Sequence, residues 1–544
     1  MARRRSLRAA IAPYRRLLRP ATTLGICFSL IPIVPPAALA DVLQVNVSST
    51  PALRSGTNAP VAPVAPGFIG ASIDYCAIST YSPGAIANPV LSNLLAALAP
   101  EGPVLRIGGP GPESGCPAAG NGSIYAATPS IAALAMRLNA ALILGLNLES
   151  GRAEWARFQV ATLLRAIDPG PPYRYVRAFE IGNEPDLLAR YGAGRSTKVA
   201  GWFDRYLRDF NYWSRIVRRV AGLRYFGIAG PSLGDLRMKW IAGPRVGNLA
   251  KILNSAAKPH FVTFHRYPLL GHAPCPSPIC PVISQLLSDG SSRGLAASLV
   301  PLIAHVPAGR TIRVDEMNSV TRGGRLGVSN TFASALWALD TSFELAKAAV
   351  QGVNFHTFST AAYALFSGPD GGWVVHPEYY GLLAFERAAP AGSQLLRVTP
   401  QPASTGGPNV KVWATQGTDG RTRIAILNKD SVDLSVQLSG SALPAIGTAL
   451  LERLSAPATY GALGCPTQYL ATGACATSGI TLGGRSFGQS SGAGDQTTVG
   501  TLPAPASSGP CDPVLLIAAC DQSISSATTT VVVPATSAVL LTIG

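Results

Sequence analysis

Short apolar runs alternate with amphipathic stretches through most of the chain. Eight runs of five to nine residues have the composition of buried β-strands, at 67–75, 104–109, 141–148, 175–182, 225–229, 261–267, 311–317 and 352–358. Between them, apolar residues recur three and four positions apart, which predicts helices such as 155–167, 202–220 and 331–348. Eight strand–helix units within roughly 320 residues are typical of an α/β fold, the (β/α)8 or TIM barrel, which we place at residues 67–390.

The pattern changes after residue 390. Short alternating strands are predicted at 410–414, 423–427, 434–438, 449–454, 528–533 and 538–542, separated by turns rich in Gly, Ser and Pro. No helix is predicted among them, so residues 391–544 are expected to form a β-sandwich domain. Within it, 478–510 is rich in Gly and Ser and predicts a long exposed loop. A β-like segment at 42–47 precedes the barrel, and we expect it to complete the sandwich.

The first 40 residues have the features of a secretory signal peptide. They contain seven arginines and no acid, then an apolar stretch, then Ala38-Leu39-Ala40 before Asp41. A membrane anchor is the alternative, but three prolines interrupt the stretch well short of the roughly 20 apolar residues that a span needs. We therefore expect a secreted or periplasmic protein without a stable membrane span, in which residues 41–66 form the first strand and a linker to the barrel.

Composition and charge exclude several classes of protein. Charged residues make up 13% and hydrophobic residues 47% of the chain, as in a well-packed globular protein. Without the first 40 residues, 37 basic side chains remain against 28 acidic ones, a net charge of +9. Most of the basic residues are arginines scattered singly, with only Arg218 and Arg219 adjacent, and they form no basic helix face with interleaved aromatics. We therefore expect no nucleic-acid partner, whereas an acidic polysaccharide would suit the charge.

The cysteines predict disulfides. Eight remain after the signal segment, an even number, which in an exported chain indicates bridges. Their spacing favours Cys275–Cys280, Cys465–Cys475 and Cys511–Cys520, and leaves Cys76 with Cys116. Neither C-x-x-C pairs nor clustered histidines are present, so we expect no metal site.

Two glutamates are the candidate catalytic groups. Glu184 lies in Phe-Glu-Ile-Gly-Asn-Glu-Pro at the end of the fourth predicted barrel strand, and Glu316 lies in Val-Asp-Glu-Met-Asn at the end of the seventh. Barrel enzymes carry their catalytic residues at these strand ends. Two facing carboxyls, one protonated and one ionised, are what a retaining glycosidase needs. A solvated loop glutamate is the alternative for Glu184 taken alone.

Neighbouring polar residues are assigned from strand alternation. Glu180 lies on the same face as Glu184 but deeper, so we interpret it as a paired structural carboxylate. Asp315 is expected to point away from Glu316 and to have no catalytic role. Arg106 and Tyr267, at the ends of the second and sixth strands, are candidate partners of an ionised nucleophile. His265, near the end of the sixth strand, is a supporting candidate. Asn183, beside Glu184 at the end of the fourth strand, is a candidate for binding the sugar.

One further motif suggests a different chemistry. Residues 230–234, Gly-Pro-Ser-Leu-Gly, match the G-x-S-x-G turn that presents a nucleophilic serine. That turn must lead directly into a helix, and none is predicted there. We therefore disfavour a serine hydrolase.

Several of these segments resemble family 79 of the glycoside hydrolases, which contains β-glucuronidases and heparanases. The likeness covers most of residues 67–390 and lies in segments 72–74, 104–109, 179–185, 263–267 and 330–333. It implies that Glu184 is the acid/base and Glu316 the nucleophile. It also implies that Asp74 binds a sugar hydroxyl and that Tyr363 lies beside a uronate carboxylate, with Tyr267 at the same sugar.

The resemblance implies an exo-acting β-glucuronidase that needs no metal or organic cofactor. Its expected partner is a glycoside or polysaccharide that contains glucuronic acid. An endo-acting, heparanase-like enzyme and a neutral-sugar β-glycosidase stay open as alternatives. So does an inactive polysaccharide-binding protein on the same scaffold.

Overall fold

The eight predicted runs form a closed barrel of parallel strands. The computed structural model describes residues 42–110, 126–191, 201–224, 226–235, 238–369, 371–400, 409–462, 464–487, 500–512 and 514–544. After a first strand β1 (Leu43–Pro51), the barrel consists of β2 (Ile69–Asp74), β3 (Val104–Gly108), β4 (Ala141–Leu146), β5 (Val176–Ile181), β6 (Ile228–Leu233), β7 (Phe261–Arg266), β8 (Thr311–Met317) and β9 (Val353–Thr357). Strand β9 pairs with β2 and closes the ring, which confirms the predicted fold.

Helices surround the barrel and cover its apolar strands. In chain order they are α1 (Tyr75–Tyr81), α2 (Pro89–Leu98), α3 (Thr128–Leu138), α4 (Ala153–Ile167), α5 (Trp202–Ala221), α6 (Val246–Leu253), α7 (Ile283–Leu286), α8 (Leu295–Ile303), α9 (Phe332–Lys347) and α10 (Pro377–Ala388). The predicted helices correspond to α4, α5 and α9. Among the described helices, none is long and apolar enough to cross a bilayer.

The C-terminal strands form one sheet. They are β12 (Gln394–Thr399), β13 (Val410–Gln416), β14 (Thr422–Asn428), β15 (Leu434–Ser439), β16 (Ile446–Ser455), β17 (Thr481–Leu482), β18 (Ala519–Ser525), β19 (Thr528–Val533) and β20 (Ser537–Ile543), after a small hairpin of β10 (Phe366–Ser367) and β11 (Val374–Val375). The order is β17-β16-β18-β19-β15-β1-β12-β13-β14-β20, and β20 pairs back onto β16. The predicted β-rich domain is confirmed, and its strands belong to a single continuous sheet that closes on itself through the β16–β20 pairing.

Strand β1 belongs to this sheet, as predicted. It pairs antiparallel with β12 and parallel with β15, and its Val45 and Val47 are buried in the core of the β domain. The first described strand and the last third of the chain therefore build the same domain.

Helix α9 lies between the barrel and the β domain, and nearly all of its residues are buried. Its two acids meet lysines of the β domain. Lys429 Nζ lies 2.7 Å from Asp340 Oδ2, and Lys411 Nζ lies 3.3 Å from Glu344 Oε1. Lys411 also lies 2.6 Å from Asp289, which precedes a short π-helical turn at Gly290–Gly294. Buried opposite charges therefore join the two domains.

The exposed loop expected at 478–510 is present at 501–510, which is irregular and mostly exposed, but the expectation is wrong for residues 480–487. Thr481–Leu482 form β17, and Phe487 packs edge-on against Tyr379 and Tyr380 of α10. The Phe487 N–H also donates to the Tyr380 hydroxyl at 2.8 Å. Glycine-rich composition predicted a loop, but single apolar side chains within it anchor the segment to the barrel.

Three of the predicted disulfides are present, Cys275–Cys280, Cys465–Cys475 and Cys511–Cys520. Cys76 is also disulfide-bonded, while its predicted partner Cys116 lies outside the described residues. The predicted signal segment lies outside them as well. Three bridges are typical of a protein from an oxidising, non-cytosolic compartment.

Candidate active site

A pocket of about 820 Å³ opens at the carboxyl ends of the barrel strands. The ends of β7, β8 and β9 and the loops after β5, β6 and β8 contribute to its lining. Among the predicted residues, Glu184, Tyr267, Glu316 and Tyr363 line it. This is the face at which barrel enzymes hold their active sites.

Local backbone geometry fixes Glu184 at the pocket. The residue follows β5 with a left-handed φ of +46°, and its N–H donates to the Ser232 carbonyl at 3.1 Å. Such a conformation costs a non-glycine residue on the order of 1 kcal/mol or more and is concentrated at functional sites. A Cβ on Gly234 would overlap the Glu184 carboxyl carbon, so only glycine leaves room for this side chain.

Glu316 is held as an anion. Arg106 Nη1 donates to its Oε2 at 2.6 Å, and the Tyr267 hydroxyl donates to its Oε1 at 2.8 Å. Burial alone would raise the pKa of Glu316, but the charges of His356, His265 and Arg106 outweigh it and hold the pKa well below the ordinary value. An ionised carboxylate that accepts a hydrogen bond at each of its oxygens is a suitable nucleophile.

Arg106 connects the two sides of the site from β3. It is fully buried, and its Nε and Nη2 each donate to Glu180 at 2.7 Å, a bidentate ion pair. Burial opposes charge on Glu180, but Arg106 lowers the pKa of that carboxyl to about 2. Nη2 also donates to Asn183 Oδ1 at 2.7 Å. Glu180 is thus a paired structural carboxylate, and Asn183 is oriented by the same guanidinium.

Asp315 does not point away from the site, and that expectation is wrong. Against β7, His265 pairs with Glu316 while Phe264 pairs with Val314, so β8 carries one extra residue, Asp315. This β-bulge turns both acids of β8 towards the barrel interior. Asp315 Oδ1 lies 3.6 Å from His265 Nε2. Strand alternation fails here because a bulge breaks the two-residue period.

His265 lies between the two candidate catalytic carboxylates and is 1% exposed. Its Nδ1 lies 3.2 Å from Glu184 Oε1 and 3.9 Å from Glu316 Oε2. Burial disfavours a charged ring, yet Glu316, Glu180, Glu184 and Asp315 together raise the pKa of His265 well above its ordinary value. The charged form of the imidazole is therefore favoured.

Glu184, Glu316 and His265 place three potential ligand atoms within 4.8 Å of one another. A second such group among the described residues is Glu180, His265 and Asp315. A metal ion at either position would have to compete with the favoured, charged form of His265 and with Arg106 for the same oxygens. The arrangement suits proton transfer and nucleophilic attack by the two glutamates.

Tyr363 and His356 complete the wall of the pocket. Tyr363 is 2% exposed, and its ring centroid lies 6.3 Å from that of Tyr267. Burial, and then the charge of Glu316, raise the pKa of Tyr363, so its hydroxyl remains a donor. His356, at the end of β9, was not predicted. The available signal was a histidine within an apolar run at the mouth of the barrel.

Asp74 lies apart from the pocket lining. Its carboxylate accepts the Cys76 N–H at 2.7 Å and caps α1, and the side chain is 8% exposed. Its contact with a sugar hydroxyl stays a prediction. Ser232, the serine of the G-x-S-x-G match, is fully buried against the Thr263 hydroxyl at 2.7 Å and does not line the pocket.

No protein-family model and no curated protein matches this sequence. The fold does match solved structures. A 4-O-α-L-rhamnosyl-β-D-glucuronidase from Fusarium oxysporum is similar with a TM-score of 0.64 and 18% identity, over 92% of this chain and 100% of that one. A family 51 arabinofuranosidase from Xanthomonas axonopodis pv. citri is similar with a TM-score of 0.59 and 16% identity, over 92% and 100%. At these identities the comparison shows a shared fold.

Proposed function

We propose that the protein is an exported, retaining β-glycosidase of family 79 that acts as an exo-β-glucuronidase. The observation that carries the proposal is the catalytic pair. An oxygen of Glu184 and an oxygen of Glu316 lie within 4.8 Å of each other. Retaining enzymes place their carboxyl groups about 5–5.5 Å apart, whereas inverting enzymes leave about 6.5–9.5 Å for a water molecule. The short separation supports retention.

The surroundings of the two carboxyls give them different roles. Arg106 and Tyr267 keep Glu316 ionised, so it attacks the anomeric carbon. Glu184 is 22% exposed at its side chain and protonates the departing oxygen. In the second step Glu184 removes a proton from water, which attacks the glycosyl–Glu316 ester and releases the sugar with retained configuration.

Charge and donors in the pocket support an anionic sugar. Apart from the catalytic pair and the histidines, the ionised side chains of its lining are Lys239, Arg266 and Arg322 against Asp235. Tyr363 lies beside the glycine pair Gly323-Gly324, and a Cβ on Gly324 would crowd the Tyr363 N–H at 3.0 Å. The Tyr363 hydroxyl is a donor that suits a uronate carboxylate, which must be met by several donors when it is desolvated.

Hydrolysis of aryl glycosides tests the function. The wild-type protein should cleave an aryl β-D-glucuronide far faster than the β-D-glucoside or the α-L-arabinofuranoside, and proton NMR should show the β-anomer first. Glu316→Gln should abolish turnover, whereas Glu184→Gln should still cleave a dinitrophenyl glucuronide, which needs little protonation. Preference for a neutral glycoside refutes glucuronate selectivity, and an α-anomer as first product refutes retention. Binding without turnover identifies a carbohydrate-binding protein.

A further inference from the structure

Helix α5 carries a basic face on the outside of the barrel, contrary to the expectation that the arginines form no such face. Five of its exposed residues recur three and four positions apart, so they lie on one side of the helix, opposite its buried residues. We call these five residues the α5 stripe: Arg205, Arg208, Tyr212, Arg215 and Arg219. The stripe extends about 21 Å along the helix axis. Arginines that are separated in the sequence thus form one positive surface.

The charges of the α5 stripe are not neutralised within the described part of the chain. None of its four arginines forms an ion pair with a described residue, and Asp209 of the same helix pairs instead with Arg190 at 2.9 Å. Like charges three and four positions apart on a helix repel each other and lower its stability slightly. The stripe therefore does not stabilise the fold, and its charge suits an anionic partner.

Aromatic rings lie within the stripe and on the neighbouring helix. Tyr212 is 45% exposed in the middle of the stripe, and the Arg215 guanidinium lies 5.7 Å from the centroid of its ring. Helix α4 packs beside α5 and exposes Trp155 and Phe158, three positions apart. Aromatic faces stack on the apolar faces of sugar rings, while guanidinium groups pair bidentately with carboxylate or sulfate. The two residue types together suit a charged sugar chain.

The α5 stripe begins close to the rim of the pocket. Trp202, the first residue of α5, packs against Trp240 with the ring centroids 4.2 Å apart. Lys239, which precedes Trp240, lines the pocket. From there the stripe runs along the outside of the barrel, and none of its residues lines the pocket. A polymer chain whose end occupies the pocket could therefore continue onto the stripe.

We propose that the α5 stripe, together with Trp155 and Phe158, is a second binding surface, which holds a linear acidic polysaccharide by its carboxylate or sulfate groups. Nucleic acid would also suit the charge, but the three disulfides are typical of a non-cytosolic compartment. A membrane surface would require the aromatic side chains on an apolar face of their own, whereas Tyr212 lies between arginines. The surface adds to the proposed enzyme and does not depend on turnover.

The test measures heparin binding by calorimetry at one salt concentration. The double variant Arg208→Gln/Arg215→Gln should bind heparin about tenfold more weakly than the wild type, because it loses two charge-assisted contacts. Arg397→Gln/Arg421→Gln is the matched control, since it removes two exposed arginines of the β domain and changes the net charge equally. The control should weaken binding by less than about twofold. An equal loss in both double variants would show attraction to net charge alone and overturns the proposal.

Tyr212→Ala tests whether the surface recognises a sugar chain, because it removes the ring and keeps all four arginines. Heparin binding should weaken about threefold or more. Unchanged affinity in this variant overturns the proposal, since a surface that attracts charge alone needs no ring. Duplex DNA and phosphatidylglycerol vesicles are the rival ligands at the same salt concentration. Tighter binding of either one than of heparin overturns the assignment to a polysaccharide.

Hydrolysis of an aryl β-glucuronide separates this surface from the pocket. The aryl substrate is too short to extend from the pocket along the stripe, so Arg208→Gln/Arg215→Gln should retain the wild-type kcat/KM. A loss of aryl hydrolysis in parallel with heparin binding would show that these arginines act on the pocket, and overturns the proposal. Absence of turnover by the wild type on every glycoside refutes the proposed function and leaves the heparin measurements intact.

Discussion

Tyr267→Phe removes one atom from the candidate nucleophile's surroundings and gives the sharpest test of how Glu316 is kept ionised. The lost interaction is the 2.8 Å hydrogen bond from the Tyr267 hydroxyl to Oε1 of a carboxylate that is 6% exposed. Hydrogen bonds to charged groups contribute about 1.5–3 kcal/mol. One pKa unit corresponds to about 1.36 kcal/mol, so the pKa of Glu316 should rise by about 1–2 units.

The pH profile of kcat/KM on an aryl β-glucuronide measures this change. Only ionised Glu316 attacks, so the acid limb should move up by about 1–2 pH units. Tyr379→Phe is a suitable control, because it removes a buried tyrosine hydroxyl that donates to the Leu94 carbonyl away from the pocket. An acid limb that stays in place in Tyr267→Phe, in a protein with wild-type thermal stability, would refute the assigned role of this hydrogen bond.

Three further variants test separate parts of the structure. Gly234→Ala should lower kcat on phenyl glucuronide at least tenfold, because the new Cβ overlaps the Glu184 carboxyl; wild-type kcat would contradict the observed packing. Lys411→Met should destabilise the protein in urea unfolding by up to about 3 kcal/mol, because Asp289 and Glu344 lose a buried lysine and keep Arg293, whereas Arg423→Met at a more exposed pair should cost far less. Burial, and then Glu101, raise the pKa of Glu386 to about 9, so folding stability should fall as pH rises from about 4.5 towards 9. Glu386→Gln should therefore raise Tm at pH 8 and change it little at pH 4. An equal change of Tm at both pH values would exclude ionisation of Glu386 as the cause of the pH-dependent loss of stability.

The sequence predicted the barrel well because its strands are buried on both faces and appear as continuous apolar runs. The fifth strand was misplaced: it extends to Leu233, past Gly230-Pro231, a dipeptide that predicts a turn. A second bulge, at Ser232, accommodates the proline within the strand. In the β domain, β18 was missed because its segment, Ala-Cys-Asp-Gln-Ser-Ile-Ser, is mostly polar. It forms a strand because β16 provides a long pairing partner.

The residues of the candidate site also divide into those that the sequence could predict and those that it could not. Glu184, Glu316 and Tyr267 could be found because strand ends carry chemistry in this fold, and their position needs no knowledge of packing. Asp315 and His356 could not be placed, since the first depends on a bulge and the second on contacts between β9 and β2. His356 Nδ1 lies 3.1 Å from the Ser72 hydroxyl, and no local pattern indicates such a pairing.

The position of β1 has a consequence for the order in which the protein can be completed. Its ladder partners, β12 and β15, follow it by more than 300 residues, with the whole barrel between them. During synthesis from the N-terminus, β1 must wait unpaired while the barrel strands emerge. Its valines then lack a core to cover them, and its edges are open to other chains. The β domain can therefore be completed only after the C-terminal strands have emerged, and until then β1 is the segment that a chaperone would have the most reason to bind.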